Sequence, residues 1–232
     1  MTRKVLAKRA VDVLMTALLV LQMARPVMDI AIHELFGVFV FALFLVHHLL
    51  NMSWYRTAFS GKWDLARAMR LATDLLLLLA LIGVIVSSVI VSRGVFAFMH
   101  SRGGLFARKL HASMTNWCFL LASAHLGLHW GMVTGAAKHW AINRRARARP
   151  WVSAARIAAA AVSAYGVFAC ITHDVGAKLT MYYGYSYWDP NRSKLLIFVD
   201  LLAMMGLYIC AAYYLLNFIR NLGARAGAKR SV

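Results

Sequence analysis

The chain has 232 residues, 62% of them hydrophobic and 15% charged, yet it carries a formal net charge of +18 from 26 Lys and Arg against 8 Asp and Glu. The apolar content excludes disorder, and runs this long are more than a soluble chain of 25.9 kDa can bury. The composition therefore predicts an all-α integral membrane helical bundle with basic loops. It gives no reason to expect a nucleic-acid partner.

A helix needs about 20 apolar residues to cross the hydrocarbon layer. In chain order, the first candidate is Val11–Ala24, which is short and carries Asp12, with Val5–Ala7 able to extend it past Lys8-Arg9. A basic start before a short apolar run also resembles a secretion signal. However, Gln22-Met23-Ala24 runs into Arg25-Pro26 with no convincing small-x-small cleavage site, so it is counted as a span. Ile30–Leu50 follows, opening with His33-Glu34 and closing with His47-His48. The connection Met52–Arg70 reads as a loop or short interfacial helix, with Trp54, Tyr55 and Trp63 at headgroup level. Next come Leu71–Val91, then Ala112–Val133 with His111 at its start and His125-Leu126-Gly127-Leu128-His129 near its end. Trp151–Ile171 and Leu195–Leu216 complete the set, separated by an aromatic outer loop in which Asp189-Pro190-Asn191 reads as a turn.

Charge orients these six spans. With both termini cytoplasmic, the inner segments hold 18 of the 26 cations, including Lys138, Arg144, Arg145, Arg147, Arg149 and Arg156. The outer ones keep Arg25, Arg93, Arg102, Arg108, Lys109, Lys178, Arg192 and Lys194. That is the positive-inside pattern, so the basic excess mostly reports topology. The chain reads as one domain over 1–232, with a core at about 27–135 and a carboxy-terminal pair of spans at about 151–220.

Histidine inside a bilayer is costly unless it faces the protein interior and finds a partner. His33 precedes His47 by 14 residues, and His111 precedes His125 by the same interval. Fourteen residues rise about 21 Å and complete nearly four turns, so each pair lies on roughly one face with one member near each surface. One span intervenes between the two helices, so they run parallel, with His33 level with His111 and His47 level with His125. Two imidazoles from facing helices form the axial set of a b-type haem, and the ladder provides two such sets. The stripe between them carries Phe36, Gly37, Val40 and Phe44 on one helix and Thr115, Cys118 and Ala122 on the other, the latter small enough for flat rings, although small residues are also common in plain helix packing. Cys118, Cys170 and Cys210 all lie in apolar runs and imply no disulfide framework, and no C-x-x-C-H motif offers covalent haem attachment.

The remaining histidines divide. His48 points about 100° away from His47. His129 lies one turn beyond His125, placed for a propionate, a quinone or a proton path, or as a substitute ligand. His100, His139 and His173 read as solvated interfacial residues. Arg25, Arg102, Arg108 and Lys109 outside, with Arg56 and Lys62 inside, are candidate propionate cations. Glu34 and Asp29 are candidates to accept from a ligand's second ring nitrogen. Asp200, within the last span, is singled out by its cost alone.

The strings Asp29-x3-His33-Glu34-x2-Gly37 and His47-His48-x2-Asn51-x2-Trp54-Tyr55 resemble the front half of a bacterial membrane family described as flavinylation-associated cytochromes. The likeness continues through Arg108-x2-His111, Trp117, His125-Leu126-Gly127-Leu128-His129-Trp130-Gly131 and Ala203-Met204-Met205-Gly206-Leu207, covering most of the chain. That family is similar to the cytochrome b and ferric-reductase-like group. The resemblance implies two non-covalent b-type haems held by His33, His47, His111 and His125, in the bacterial cytoplasmic membrane. It also implies electron exchange with an extracytoplasmic flavin-binding partner or a quinone. No flavin domain, nucleotide-binding glycine motif or iron–sulfur cysteine set is visible, so the flavin is expected on a separate protein. The competing reading is a desaturase- or hydroxylase-like enzyme with non-haem metal at His47, His48, His125 and His129, although a di-iron cluster needs many ligands at one depth. A third is a non-catalytic anchor that recruits a partner through its basic loops.

Overall fold

The computed structural model describes residues 2–61, 63–99, 103–131, 134–135, 148–182 and 192–230. The fold is all-α, with no strand among the described residues. Its helices are α1 (Arg3–Met23), α2 (Ile30–Leu50), α3 (Met52–Thr57), α4 (Leu65–Val91), α5 (Leu105–Leu128), α6 (Ala148–Thr172), α7 (Val175–Leu179) and α8 (Lys194–Arg230). Each predicted apolar run falls largely within a long helix, although α5 ends at Leu128 and the last two residues of the Ala112–Val133 run lie outside the described residues. The Met52–Arg70 connection contains the short α3, and α4 begins six residues earlier than its hydropathy because Asp64 caps it by accepting from the Arg67 N–H at 2.6 Å.

Four helices, α2, α4, α6 and α8, contain stretches long and apolar enough to cross a membrane. Helices α1 and α5 are of similar length, 21 and 24 residues, but carry Arg3, Lys4, Lys8, Arg9 and Asp12, and Arg108 and Lys109, respectively. Large apolar side chains face outward along the bundle: Leu79, Ile157 and Ile171 are 64%, 71% and 72% exposed. Such surfaces are unfavourable in water and favourable against lipid.

Helix α8 is the hub. Leu201, Met204, Met205 and Ile209 are buried there against Val20 and Ala24 from α1, Phe119 from α5 and Ala169 from α6. Since lipid tails are as apolar as leucine, close backbone approach does much of the packing. Two glycines permit it: a Cβ at Gly127 would stand 2.5 Å from the Ile209 carbonyl oxygen, and one at Gly166 2.5 Å from that of Ala203. Gly127 of the HLGLHWG string is therefore a point of close backbone approach between α5 and α8. Helix α5 also packs along α4.

Helix α2 is different. It packs along α1, makes no extended contact with α4 or α5, and buries none of its residues. Polar bridges hold its ends. Gln22 Nε2 donates to the His33 carbonyl at 3.2 Å, and Lys8 Nζ donates to Asn51 Oδ1 at 2.9 Å. Gly37 meets Gln22 of α1, which accounts for its small size without a flat ring.

Candidate cofactor site: two levels of histidine

His33 and His111, 78 residues apart in sequence, come together at one end of the bundle with ring centroids 6.5 Å apart and planes at 83°. Two metal–imidazole bonds of about 2.0 Å on opposite sides of one ion put ring centroids about 6.3 Å apart. The observed spacing fits an axial pair.

Their second nitrogens are treated differently. Ser87 is fully buried and its hydroxyl lies 2.6 Å from the Gly83 carbonyl, to which it donates. The Ser87 oxygen is then free to accept from His111 Nδ1 at 3.3 Å, with Ser88 Oγ at the same distance. A proton on Nδ1 leaves Nε2 as the ligating atom. His33 Nδ1, by contrast, is buried without a partner, as is Gln22 Oε1 on the residue that holds the His33 backbone.

At the other end, His47 and His125 do not touch; each ring meets the histidine next to it, His48 at 5.7 Å and His129 at 4.8 Å. What they share is a carboxylate. His47 Nδ1 donates to Asp12 Oδ1 at 2.8 Å, and His125 Nδ1 to Asp74 Oδ1 at 2.7 Å. A carboxylate can only accept, so both rings carry their proton on Nδ1 and present a bare Nε2. Carboxylate–histidine pairs of this kind fix ring orientation and raise ligand basicity at metal sites. Sequence reasoning counted Asp12 only as a blemish on the first span and passed over Asp74. The signal was present, since an ionisable residue in an apolar span needs a partner.

Among the secondary candidates, His48 is turned onto Phe44 at 4.1 Å and hydrogen-bonds Tyr55, away from His125. His129 caps the end of α5 within electrostatic reach of His125, Asp74, Arg70 and Asp12. Arg25 is in electrostatic reach of His33, and Arg108 is exposed one turn before His111. Lys62, His100, Arg102 and His139 lie outside the described residues, as does the Asp189-Pro190-Asn191 turn.

Two expectations need correction. Glu34 does not serve a ligand histidine. Its carboxylate accepts from the Ser92 hydroxyl at 2.8 Å and from the backbone N–H groups of Arg93, Gly94 and Val95 at 2.9, 3.1 and 2.8 Å. These donors would otherwise be unpaired where the chain leaves α4. His173 is not solvated either. It is 9% exposed, and its Nε2 meets Asp200 Oδ2 at 2.8 Å. Asp200 is fully buried and also accepts from Tyr165 Oη at 2.8 Å and Arg192 Nη2 at 2.6 Å. Its position deep in an apolar helix is thereby explained as a sealed junction of α6, α8 and the segments around α7.

Searches of protein-family models, curated proteins and solved structures returned no match to this chain. Among the described residues, no three His, Cys, Asp or Glu side chains converge as a group that holds a metal ion by themselves. The site therefore has to be read from its own geometry. That geometry is two histidines with ligand spacing at one level and two carboxylate-oriented histidines at the other.

Proposed function

We propose that this chain is a di-haem b-type membrane cytochrome, related to the flavinylation-associated cytochromes, that carries electrons across the bacterial cytoplasmic membrane. In this reading all six long helices cross the bilayer, with both termini in the cytoplasm. His33 and His111 hold the outer haem, and His47 and His125 the inner one. The observation that carries the reading is the 6.5 Å separation of the His33 and His111 rings, supported by Nδ1 engagement of His111, His47 and His125 that leaves Nε2 free. The absence of extended contact from α2 to α4 and α5 supports it too, since flat cofactors would occupy that separation.

The haem irons, when bound, supply reversible one-electron redox chemistry. The chain's own residues do the rest. Asp12 and Asp74 hold the inner imidazoles in one tautomer, Ser87 and Ser88 hold His111, and α1 fixes α2 at the distance that its histidines require. A separate extracytoplasmic flavin protein and a quinone are the partners this function calls for.

The test is a spectrum. Protein purified from haem-replete cells should show a sharp reduced-minus-oxidised α band and about two haems per chain. Replacing His33 or His111 by Ala should remove one haem, and replacing His47 or His125 the other. A colourless protein would overturn the reading, and a colourless protein containing iron would favour the non-haem enzyme instead. Haem loss from His48→Ala but not from His47→Ala would overturn the pairing alone.

A further inference from the structure

At the end of the bundle that carries His125 and His129, α4, α5 and α8 enclose an open cleft of ≈ 370 Å³. Its polar lining is one-sided: Arg70, His129, Tyr213, Asn217 and Arg220 line it, and among the described residues no carboxylate does. The carboxylates nearby are committed, Asp74 and Asp12 to His125 and His47, and neither arginine makes an ion pair among the described residues. Its floor is apolar, with Leu128 and Leu216 only 5% and 2% exposed. Beside it, α8 presents Leu215 and Phe218 outward, 49% and 60% exposed.

Two guanidinium groups, an amide and an imidazole around one hollow suit an anion with several acceptor oxygens. A phosphate group offers that geometry to arginine forks. The hollow lies at the membrane surface assigned to the cytoplasm by the basic loops, where anionic lipids face inward-facing cations. The apolar flank of α8 runs away from it in the direction that an acyl chain would take. We infer that this cleft binds the phosphodiester headgroup of an anionic phospholipid, with its chains along the Leu215 and Phe218 face. A bound lipid would close the bundle beside His129, next to the inner histidine level. This depends on the membrane topology but not on bound haem.

The experiment uses the full chain in mild detergent. Phosphatidylglycerol, phosphatidylcholine and inorganic phosphate are each added while thermal unfolding is followed, and lipid retained through purification is counted by mass spectrometry. The wild type should retain an anionic phospholipid and gain several degrees from phosphatidylglycerol alone. Arg70→Gln/Arg220→Gln should bind phosphatidylglycerol about 30-fold more weakly, the loss of two interfacial cations. Arg3→Gln, at an exposed site elsewhere, should match the wild type. Arg220→Gln alone provides the same comparison, with a smaller loss, if the double variant does not accumulate; its side chain is exposed and holds no structure together. Equal retention by wild type and variants would overturn the assignment. An equal shift from phosphatidylcholine would show that charge is not read. A shift from inorganic phosphate alone would reassign the cleft to a soluble anion. Haem content enters none of these readouts, so their failure leaves the proposed electron transfer where it was.

Discussion

Three aspartates in this bundle each hold a histidine, and they do so in two different settings. Asp200 is sealed. It is fully buried, faces His173 at 2.8 Å and is further saturated by Arg192 and Tyr165. Asp12 and Asp74 each hold one histidine, His47 and His125, whose side chains are 29% and 34% exposed. A carboxylate surrounded by donors is spent on structure. One that orients a single ring leaves the other ring nitrogen uncommitted, which is the arrangement the proposed function calls for. The opposite end gives a third variant, in which hydroxyls take the carboxylate's place around His111.

The largest effect should come from the sealed junction. Asp200→Ala takes a shared acceptor from the buried His173 imidazole and the part-buried Arg192 guanidinium, and breaking buried pairs costs about 3–5 kcal/mol. Thermal unfolding should register that loss, while protein that still folds should keep its haem-to-chain ratio. If haem disappears in proportion and stability does not, Asp200 belongs with the ligand-supporting pair and the distinction collapses.

Asp74→Asn should behave in the opposite way. Unfolding should change little, but haem retention at the inner level should weaken by about 10- to 100-fold, the usual effect of losing a partner that supports a ligand. A less basic ligand also favours the reduced iron, so the inner potential should rise in a spectroscopic redox titration. Asp12→Asn should move both readouts the same way but less, because the Asp12 side chain is 52% exposed against 14% for Asp74. An unchanged inner potential in Asp74→Asn would show that Asp74 does not support a ligand.

Ser87→Ala/Ser88→Ala is smaller again. Both hydroxyls sit 3.3 Å from His111 Nδ1, at the long end for a hydrogen bond, and the interaction is between neutral groups. Outer-haem retention should fall by no more than about threefold. A loss as large as that of Asp74→Asn would mean that hydroxyl and carboxylate orientation are equivalent here.

Periodic features were legible in the sequence. The apolar runs gave the long helices, and reading α2 and α5 as parallel spans put His33 level with His111, whereas the same 14-residue interval does not bring the His47 ring against His125. Tertiary pairing was not legible in the same way. Asp74 meets His125 across 51 residues and His173 meets Asp200 across 27, separations with no helical period. Asp74 also opens a leucine-rich stretch whose average hydropathy conceals one charge. Glu34 misled because it is adjacent to His33, although a glutamate and its neighbour point about 100° apart on a helix. Its carboxylate went to the unpaired amides after α4 instead.

The last and smallest difference concerns pH at the outer end. Ser113 Oγ and Trp117 Nε1 both donate to the Leu179 carbonyl, at 3.1 and 3.0 Å, which clamps α7 onto α5 near His111. Lys178, the residue before that carbonyl, is brought down to about 8 by burial, with Asp174 offsetting only part of the effect. An unfolded lysine titrates near 10.4. Between those values the unfolded chain keeps a proton that the folded chain has released, so stability rises with pH across that interval and is lowest below it. The wild-type unfolding temperature should therefore climb from about pH 8 to about pH 10, by at most about 3 kcal/mol of stability. Lys178→Met should remove the climb and be the more stable protein at pH 7. Asp74 pairs with His125 at the opposite end of α5 from the Lys178 clamp, so Asp74→Asn should leave the slope unchanged. A slope that follows Asp74 rather than Lys178 would place the pH-sensitive element at the wrong end of α5.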